Sequence, residues 1–164
     1  MTRIGLISDT HTYLDEAVFK HFESCDEIWH AGDFGNAAVA DRLAAFKPLK
    51  GVYGNVDGQD IRGTYPLNLR WTCEEVTIYM THIGGYPPRY NPEVLKELNA
   101  KPAQLFICGH SHILKVIYDE KLQCLHMNPG AAGRQGWHKV RTIIRFVIDG
   151  EHMQDCEVVE LGKR

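Results

Sequence analysis

Five times in this chain a short apolar run ends in a polar side chain able to bind a cation. Arg3–Ser8 ends at Asp9-Thr10-His11, Glu27–His30 runs into Gly32-Asp33, and Gly51–Tyr53 into Gly54-Asn55. Val76–Thr81 ends at His82, and Gln104–Cys108 at Gly109-His110-Ser111-His112. Short apolar runs bounded by turn formers read as strands buried on both faces rather than as helices. In parallel or mixed sheets the carboxyl ends of strands collect along one edge, where sites form. The pattern therefore predicts a sheet edge that gathers Asp9, His11, Asp33, Asn55, His82, His110 and His112.

The segments between these runs set the fold class. Leu14, Val18, Phe19 and Phe22 recur at helical spacing, with Asp15 and Glu16 early where the helix dipole favours them, which predicts a helix over Tyr13–Ser24. A second helix is expected over Asn36–Phe46, stopping before Pro48. Strand, helix, strand, helix, strand over the first third predicts parallel units with right-handed crossovers. The second half is richer in strands, at Leu67–Trp71, Val76–Thr81, Gln104–Cys108, Lys115–Tyr118, Leu122–Met127 and Thr142–Ile148. Asp149-Gly150 signals a tight hairpin, so the last strands are expected to be antiparallel. A mixed sheet, or two packed sheets with helices outside, follows. With 164 residues, no repeat and no linker, residues 1–164 are expected to form one domain.

A formal charge of -3 gives no basic field, which argues against tight capture of long nucleic acid but allows a small phosphorylated ligand. Five scattered cysteines form no C-x-x-C pair and read as buried thiols in a reducing compartment. The first apolar stretch meets Asp9 too soon for a signal peptide, and no run approaches the roughly 20 apolar residues of a membrane span. A soluble, cytoplasmic protein without a membrane partner is expected.

Asp9 and His11 are two residues apart, as are His110 and His112, so in extended backbone each pair projects to one side. Glycines before Asp33, Asn55 and His110 allow the chain to turn sharply and aim the next side chain into a shared cavity. Taken singly, Asp and Asn after a strand are ordinary turn residues, and His82 alone reads equally as a core histidine. Taken together they form a donor set of imidazole, carboxylate and amide oxygen without thiolate, suited to manganese, iron, nickel or zinc. Seven ligands exceed one tetrahedral zinc but suit two ions of higher coordination sharing a carboxylate.

These blocks, D-x-H, G-D, G-N-x-D, H and G-H-x-H, resemble those of the calcineurin-like metallophosphoesterase superfamily, and the resemblance spans Asp9 to His112. The small chain, Gly54-Asn55-Val56-Asp57 and Asn128-Pro129-Gly130 resemble in particular the YfcE-like single-domain phosphodiesterases. The resemblance implies a two-sheet αββα sandwich. It implies that Asp9, His11 and His112 hold one ion, Asn55, His82 and His110 the other, and that Asp33 bridges. Two divalent ions are expected, manganese first, with iron, nickel, zinc or magnesium as alternatives. Asp33, Asn55, Asp57 and His82 form the expected catalytic set.

The implied reaction is hydrolysis of small phosphodiesters or activated phosphate esters by a hydroxide bridging the two ions. Many superfamily members place a proton-donating histidine directly after the asparagine of the G-N block, where this chain has Val56. Asp57, His30 or His138 are the candidates to supply a proton instead. His30 also fits a role orienting a ligand, Asn128 before Pro129-Gly130 reads first as a turn residue with support of the site as its alternative, and Arg134, Lys139 and Arg141 read as solvated charge. The expected partners are a small phosphorylated substrate and, as in relatives that oligomerise, a second copy of the chain. The rival readings are a non-catalytic interaction scaffold of the same fold and a nuclease for short nucleic acid.

Overall fold

A computed structural model describes all residues, Met1–Arg164. The chain runs β1 (Thr2–Ile7), α1 (Ala17–His21), β2 (Glu27–His30), α2 (Ala37–Phe46), β3 (Leu49–Gly51), α3 (Gln59–Arg62), β4 (Asn68–Cys73) and β5 (Val76–Thr81). It continues through β6 (Gly85–Tyr86), β7 (Arg89–Tyr90), α4 (Pro92–Ala100), β8 (Leu105–Ile107), β9 (Lys115–Asp119), β10 (Cys124–Asn128), β11 (Val140–Asp149) and β12 (His152–Lys163). One sheet has the order β12-β11-β1-β2-β3 and the other β4-β5-β8-β10-β9, while β6 and β7 pair in a small ribbon.

The fold is the two-sheet sandwich with helices outside. Its inner layer joins Ile4 and Leu6 of β1, Trp29 of β2 and Ile144 and Phe146 of β11 to Ile78 and Met80 of β5 and Leu105 and Ile107 of β8. On the outer face of the first sheet, Ile7, Ile28 and Ile143 pack against Val18 of α1, Val39 and Leu43 of α2 and Ile61 of α3. Val94 and Leu98 of α4 cover Tyr79 and Phe106 on the outer face of the second sheet. Burial of this apolar surface is the main stabilising term. No helix is long and apolar enough to cross a membrane.

In each sheet three strands run parallel, β1-β2-β3 in one and β5-β8-β10 in the other. The segments that follow β1, β2, β3, β5 and β8 carry the seven polar residues. The Asp149-Gly150 turn closes the β11–β12 hairpin as expected, pairing Asp149 with His152.

Four expectations are corrected. The helix expected over Tyr13–Ser24 is only the five residues of α1. His11 and Thr12 adopt left-handed backbone just before it, and bulky Val18, Phe19 and Phe22 leave little intrinsic helix propensity. The third strand is displaced two residues earlier, because beyond Gly51 the chain leaves the sheet after one further bond, from Val52 N–H to the His30 carbonyl. Helix α4 was not expected, although Asn91 caps it by accepting the Glu93 N–H and Pro92 opens it. Finally, Cys156 is exposed, whereas the other four thiols are buried as expected.

Candidate metal centre

Each carboxylate of the site has one oxygen pinned by the protein and one left free. In Asp9, Oδ2 accepts the Ser8 hydroxyl at 2.6 Å and the His110 N–H at 3.1 Å, while buried Oδ1 has no hydrogen-bond partner. In Asp33, Oδ1 accepts the Val56 N–H at 3.0 Å, so Oδ2 is the oxygen turned toward the histidines. Asp9 Oδ1 lies 3.1 Å from His112 Nε2 and 3.6 Å from His11 Nε2. Asp33 Oδ2 lies 3.1 Å from His82 Nε2 and 3.5 Å from His11 Nε2. His82 Nδ1 donates to the Ala31 carbonyl at 2.8 Å, which orients the ring and leaves Nε2 as the nitrogen turned to the site. Asn55 Oδ1 sits 3.0 Å from His110 Nδ1.

The seven residues therefore meet as two groups. Asp9, His11 and His112 form one, and Asp33, His82 and His110 the other, with the candidate ligand atoms of each within 4.8 Å of one another. Asn55 adjoins the second group, and Asp33 faces both. A test of fit to a cation comes from three buried atoms, Asp9 Oδ1, His11 Nε2 and His82 Nε2, which have no hydrogen-bond partner. Buried polar atoms without partners are costly, and here all three converge where a cation would satisfy them.

The electrostatics agree. Burial alone would raise the Asp9 carboxyl, but the imidazoles of His11, His112 and His82 and the Ser8 hydroxyl hold it well below the usual carboxylate range. His11 is raised by its Asp9 partner despite burial. His82 is buried, which disfavours its cation, yet the Asp33 and Asp9 carboxylates raise it. Protons on His11 and His82 thus do for the carboxylates what a divalent ion does more completely.

The route by which the side chains converge differs from the extended pairs expected. Asp9, His11, Asp33, His110 and His112 all have left-handed backbone, with φ between 46° and 70°. Such conformations are costly for residues other than glycine and persist where the surroundings enforce them. Gly32 is needed for its own φ of 104°, as expected. Gly109 is needed for close approach instead: a Cβ there would collide with Ser8 Oγ and lie 2.7 Å from Asp9 Oδ2.

The residues expected to assist surround the cluster. Asp57 is buried and its carboxylate accepts four backbone N–H groups, from Asp33, Phe34, Gly35 and Gly54, which makes it a positioning residue for these loops. His30 accepts the Gly32 N–H at Nδ1, so its Nε2–H donates to Thr10 Oγ1, whose hydroxyl in turn donates to the Phe34 carbonyl. It shapes the Asp33 loop rather than contacting a candidate ligand side chain through a hydrogen bond. Burial pushes the His30 imidazole down to about 3, consistent with the neutral tautomer that these bonds require. His138 stands edge-on to His112, with ring centroids 5.2 Å apart, and donates from Nε2 to the Gly133 carbonyl at 2.7 Å. Asn128 donates to the Gly109 carbonyl and Ser111 Oγ, latching the His110–His112 turn to β10. Arg141 is not solvated charge: it is buried and ion-paired with Asp15 at 2.8 Å, while Arg134 lies over the Tyr13 ring.

Residues 2–151 match the calcineurin-like phosphoesterase superfamily domain. A probable metallophosphoesterase of Methanothermobacter thermautotrophicus is 29% identical over 167 residues, covering 97% of this chain and 92% of the relative. A probable metallophosphoesterase of Methanocaldococcus jannaschii, MJ0623, is 30% identical, covering 78% of this chain and 67% of the relative. Among solved structures, one described as a novel archaeal phosphodiesterase superposes with a TM-score of 0.75 at 21% identity, covering 97% of this chain and 99% of the other. Chaetomium thermophilum Vps29 superposes with a TM-score of 0.76 at 20% identity over the whole of both chains. Fold, clustered donors and family match agree, and the chain belongs to the calcineurin-like phosphoesterase superfamily.

Proposed function

We propose that the protein is a dinuclear metal-dependent phosphodiesterase that hydrolyses small phosphodiesters or activated phosphate esters. The observation that carries this reading is the convergence of unpartnered Asp9 Oδ1, His11 Nε2 and His82 Nε2 in one buried pocket of donors. Asp9, His11 and His112 would hold one ion, Asn55, His82 and His110 the other, with Asp33 shared, and manganese is the first candidate for this oxygen and nitrogen donor set. When bound, two divalent ions supply an acidified water as nucleophile and offset charge on the phosphoryl group. The chain's own residues position and orient: Asp57 and His30 hold the Asp33 loop, Asn128 the histidine turn, and Ala31 orients the His82 ring. Position 56 is an exposed valine with no proton to give, so esters with good leaving groups are the favoured substrates.

A non-catalytic interaction scaffold is the second reading. It is favoured by exposed Ile113, Leu114, Val116, Tyr118 and Trp137 and by the likeness in fold to Vps29. The full complement of seven donors favours the enzyme. Hydrolysis of bis-p-nitrophenyl phosphate against p-nitrophenyl phosphate by metal-stripped protein, with and without manganese, decides between them. Manganese-dependent diester cleavage that His82→Ala abolishes is expected. Folded protein inactive with every divalent ion would establish the scaffold.

A further inference from the structure

A cleft of about 490 Å³ adjoins the second donor group, with Asn55 and His82 among its lining residues. A phosphate held by the donors of that group would project one of its alcohol arms into this space. The cleft walls then determine which arms fit, and their chemistry is specific.

Thr81, which delivers His82 from the end of β5, donates its hydroxyl to Asn68 Oδ1 at 2.7 Å. That bond fixes the orientation of the Asn68 amide, and its nitrogen makes no hydrogen bond within the protein. Glu93 also lines the cleft and its carboxylate is likewise without a protein partner, while Glu97 is neutralised by Arg70 at 3.1 Å. The remaining cation is Arg62. Its guanidinium already donates to the backbone carbonyls of Asp57, Gly54 and Asn55 and lies 4.5 Å over the Tyr53 ring. A second phosphate would therefore meet one committed cation and one uncompensated carboxylate. A purely apolar arm would cover the free Asn68 amide and the Glu93 carboxylate without replacing their bonds to water, which is costly.

Resting on the phosphodiesterase reading above, we propose that this cleft is the alcohol-arm subsite and selects an uncharged, hydroxyl-bearing arm of glycerol or ribose type. Asn68 donates to one hydroxyl and Glu93 accepts from another; these two are the specificity-determining residues. A cavity of this size suits a small polar arm, in keeping with sites for small ligands.

The test is calorimetric titration of the manganese-loaded protein with inorganic phosphate, ethyl phosphate, glycerol phosphate and glycerol bisphosphate. Binding is thereby read apart from turnover. Two modest hydrogen bonds predict that glycerol phosphate binds about tenfold more tightly than ethyl phosphate. Asn68→Leu and Glu93→Ala, both at exposed positions, should each shrink that preference, and Glu93→Ala, which breaks no bond within the protein, should leave the affinity for inorganic phosphate unchanged. Equal affinities for the ethyl and glycerol esters, or a preference that survives both substitutions, would overturn the proposal. Tightest binding by the bisphosphate would also overturn it and assign an anionic arm to Arg62. If inorganic phosphate itself fails to bind and bis-p-nitrophenyl phosphate is not cleaved, the phosphodiesterase reading falls and takes the subsite with it. Phosphate binding without discrimination between arms removes the subsite alone.

Discussion

The backbone N–H of Asp33 donates to the Asp57 carboxylate at 3.0 Å, and the same carboxylate oxygen accepts the Gly54 N–H at 2.8 Å. One side chain thus joins the loop after β2 to the loop after β3, and holds Asp33 and Asn55 in register with each other. Asp57→Asn keeps the shape but replaces one accepting oxygen with a donor that faces other donors. Outer residues that orient ligands typically contribute 10–100-fold to metal affinity, so a manganese affinity lower by about that factor is expected. Titration with manganese would check it; an affinity equal to that of the natural protein would show that the loops hold themselves.

Gly109→Ala tests close packing rather than backbone freedom. The added methyl would press on Ser8 Oγ and Asp9 Oδ2, the pinned side of the Asp9 carboxylate. Overpacking of this kind costs about 1–3 kcal/mol. The expected outcome is a lower melting temperature together with weakened metal binding. A variant that melts lower yet binds manganese normally would locate the damage away from Asp9.

For metal-stripped protein the sign of the pH dependence follows from His11 and His82. Asp9 raises His11, and Asp33 with Asp9 outweighs burial to raise His82. A raised folded value contributes stability that is fully present below the ordinary imidazole value of 6.5 and is lost as pH rises through the folded value. The contribution of this pair should accordingly fade as pH climbs above 6.5, and manganese should protect increasingly over the same window as it replaces the departing protons. Urea unfolding at a series of pH values, with and without manganese, reads both limbs. Manganese protection that declines with rising pH would contradict the shared-proton picture.

His30 works with the opposite sign. Its imidazole is pushed down to about 3 from 6.5 by burial, so its contribution is present above 6.5 and is lost as pH falls toward 3. His30→Gln should flatten this acid limb. It should also lower stability at neutral pH by about 2 kcal/mol, through the lost stack on Phe34 and weakened bonds to Gly32 and Thr10. An unchanged acid limb in the variant would assign the acid sensitivity to other groups.

Much of this architecture was legible in the sequence because its signals are local. An apolar run followed by a polar cluster marks a strand end, and five such ends sufficed to predict that Asp9, His11, Asp33, Asn55, His82, His110 and His112 would share an edge. Helix α2 was equally plain from Asn36 and the apolar spacing behind it. Helix α4 carries an equivalent signal in Asn91-Pro92 with Val94 and Leu98 four apart. The roles of Asp57, His30 and Arg141 were not legible for a different reason. Asp57 bonds to the Asp33 loop 24 residues away, His30 to Thr10 20 away, and Arg141 to Asp15 126 away. A charged or titratable residue read singly suggests chemistry or solvation, and only the folded neighbours reveal a backbone clamp or a buried pair. Left-handed backbone at His11 and His112 was hidden similarly, since the surroundings that enforce it come from distant segments.

Each donor group draws on both halves of the sandwich. Asp9 and His11 follow β1 of the first sheet and meet His112, which follows β8 of the second; Asp33 follows β2 and meets His82 and His110 from beyond β5 and β8. A cation in either group would therefore rivet one sheet to the other across segments as far apart in sequence as Asp9 and His112. Loading the site and locking the two layers would then be a single event, and a chelator would act on the architecture as well as on the chemistry.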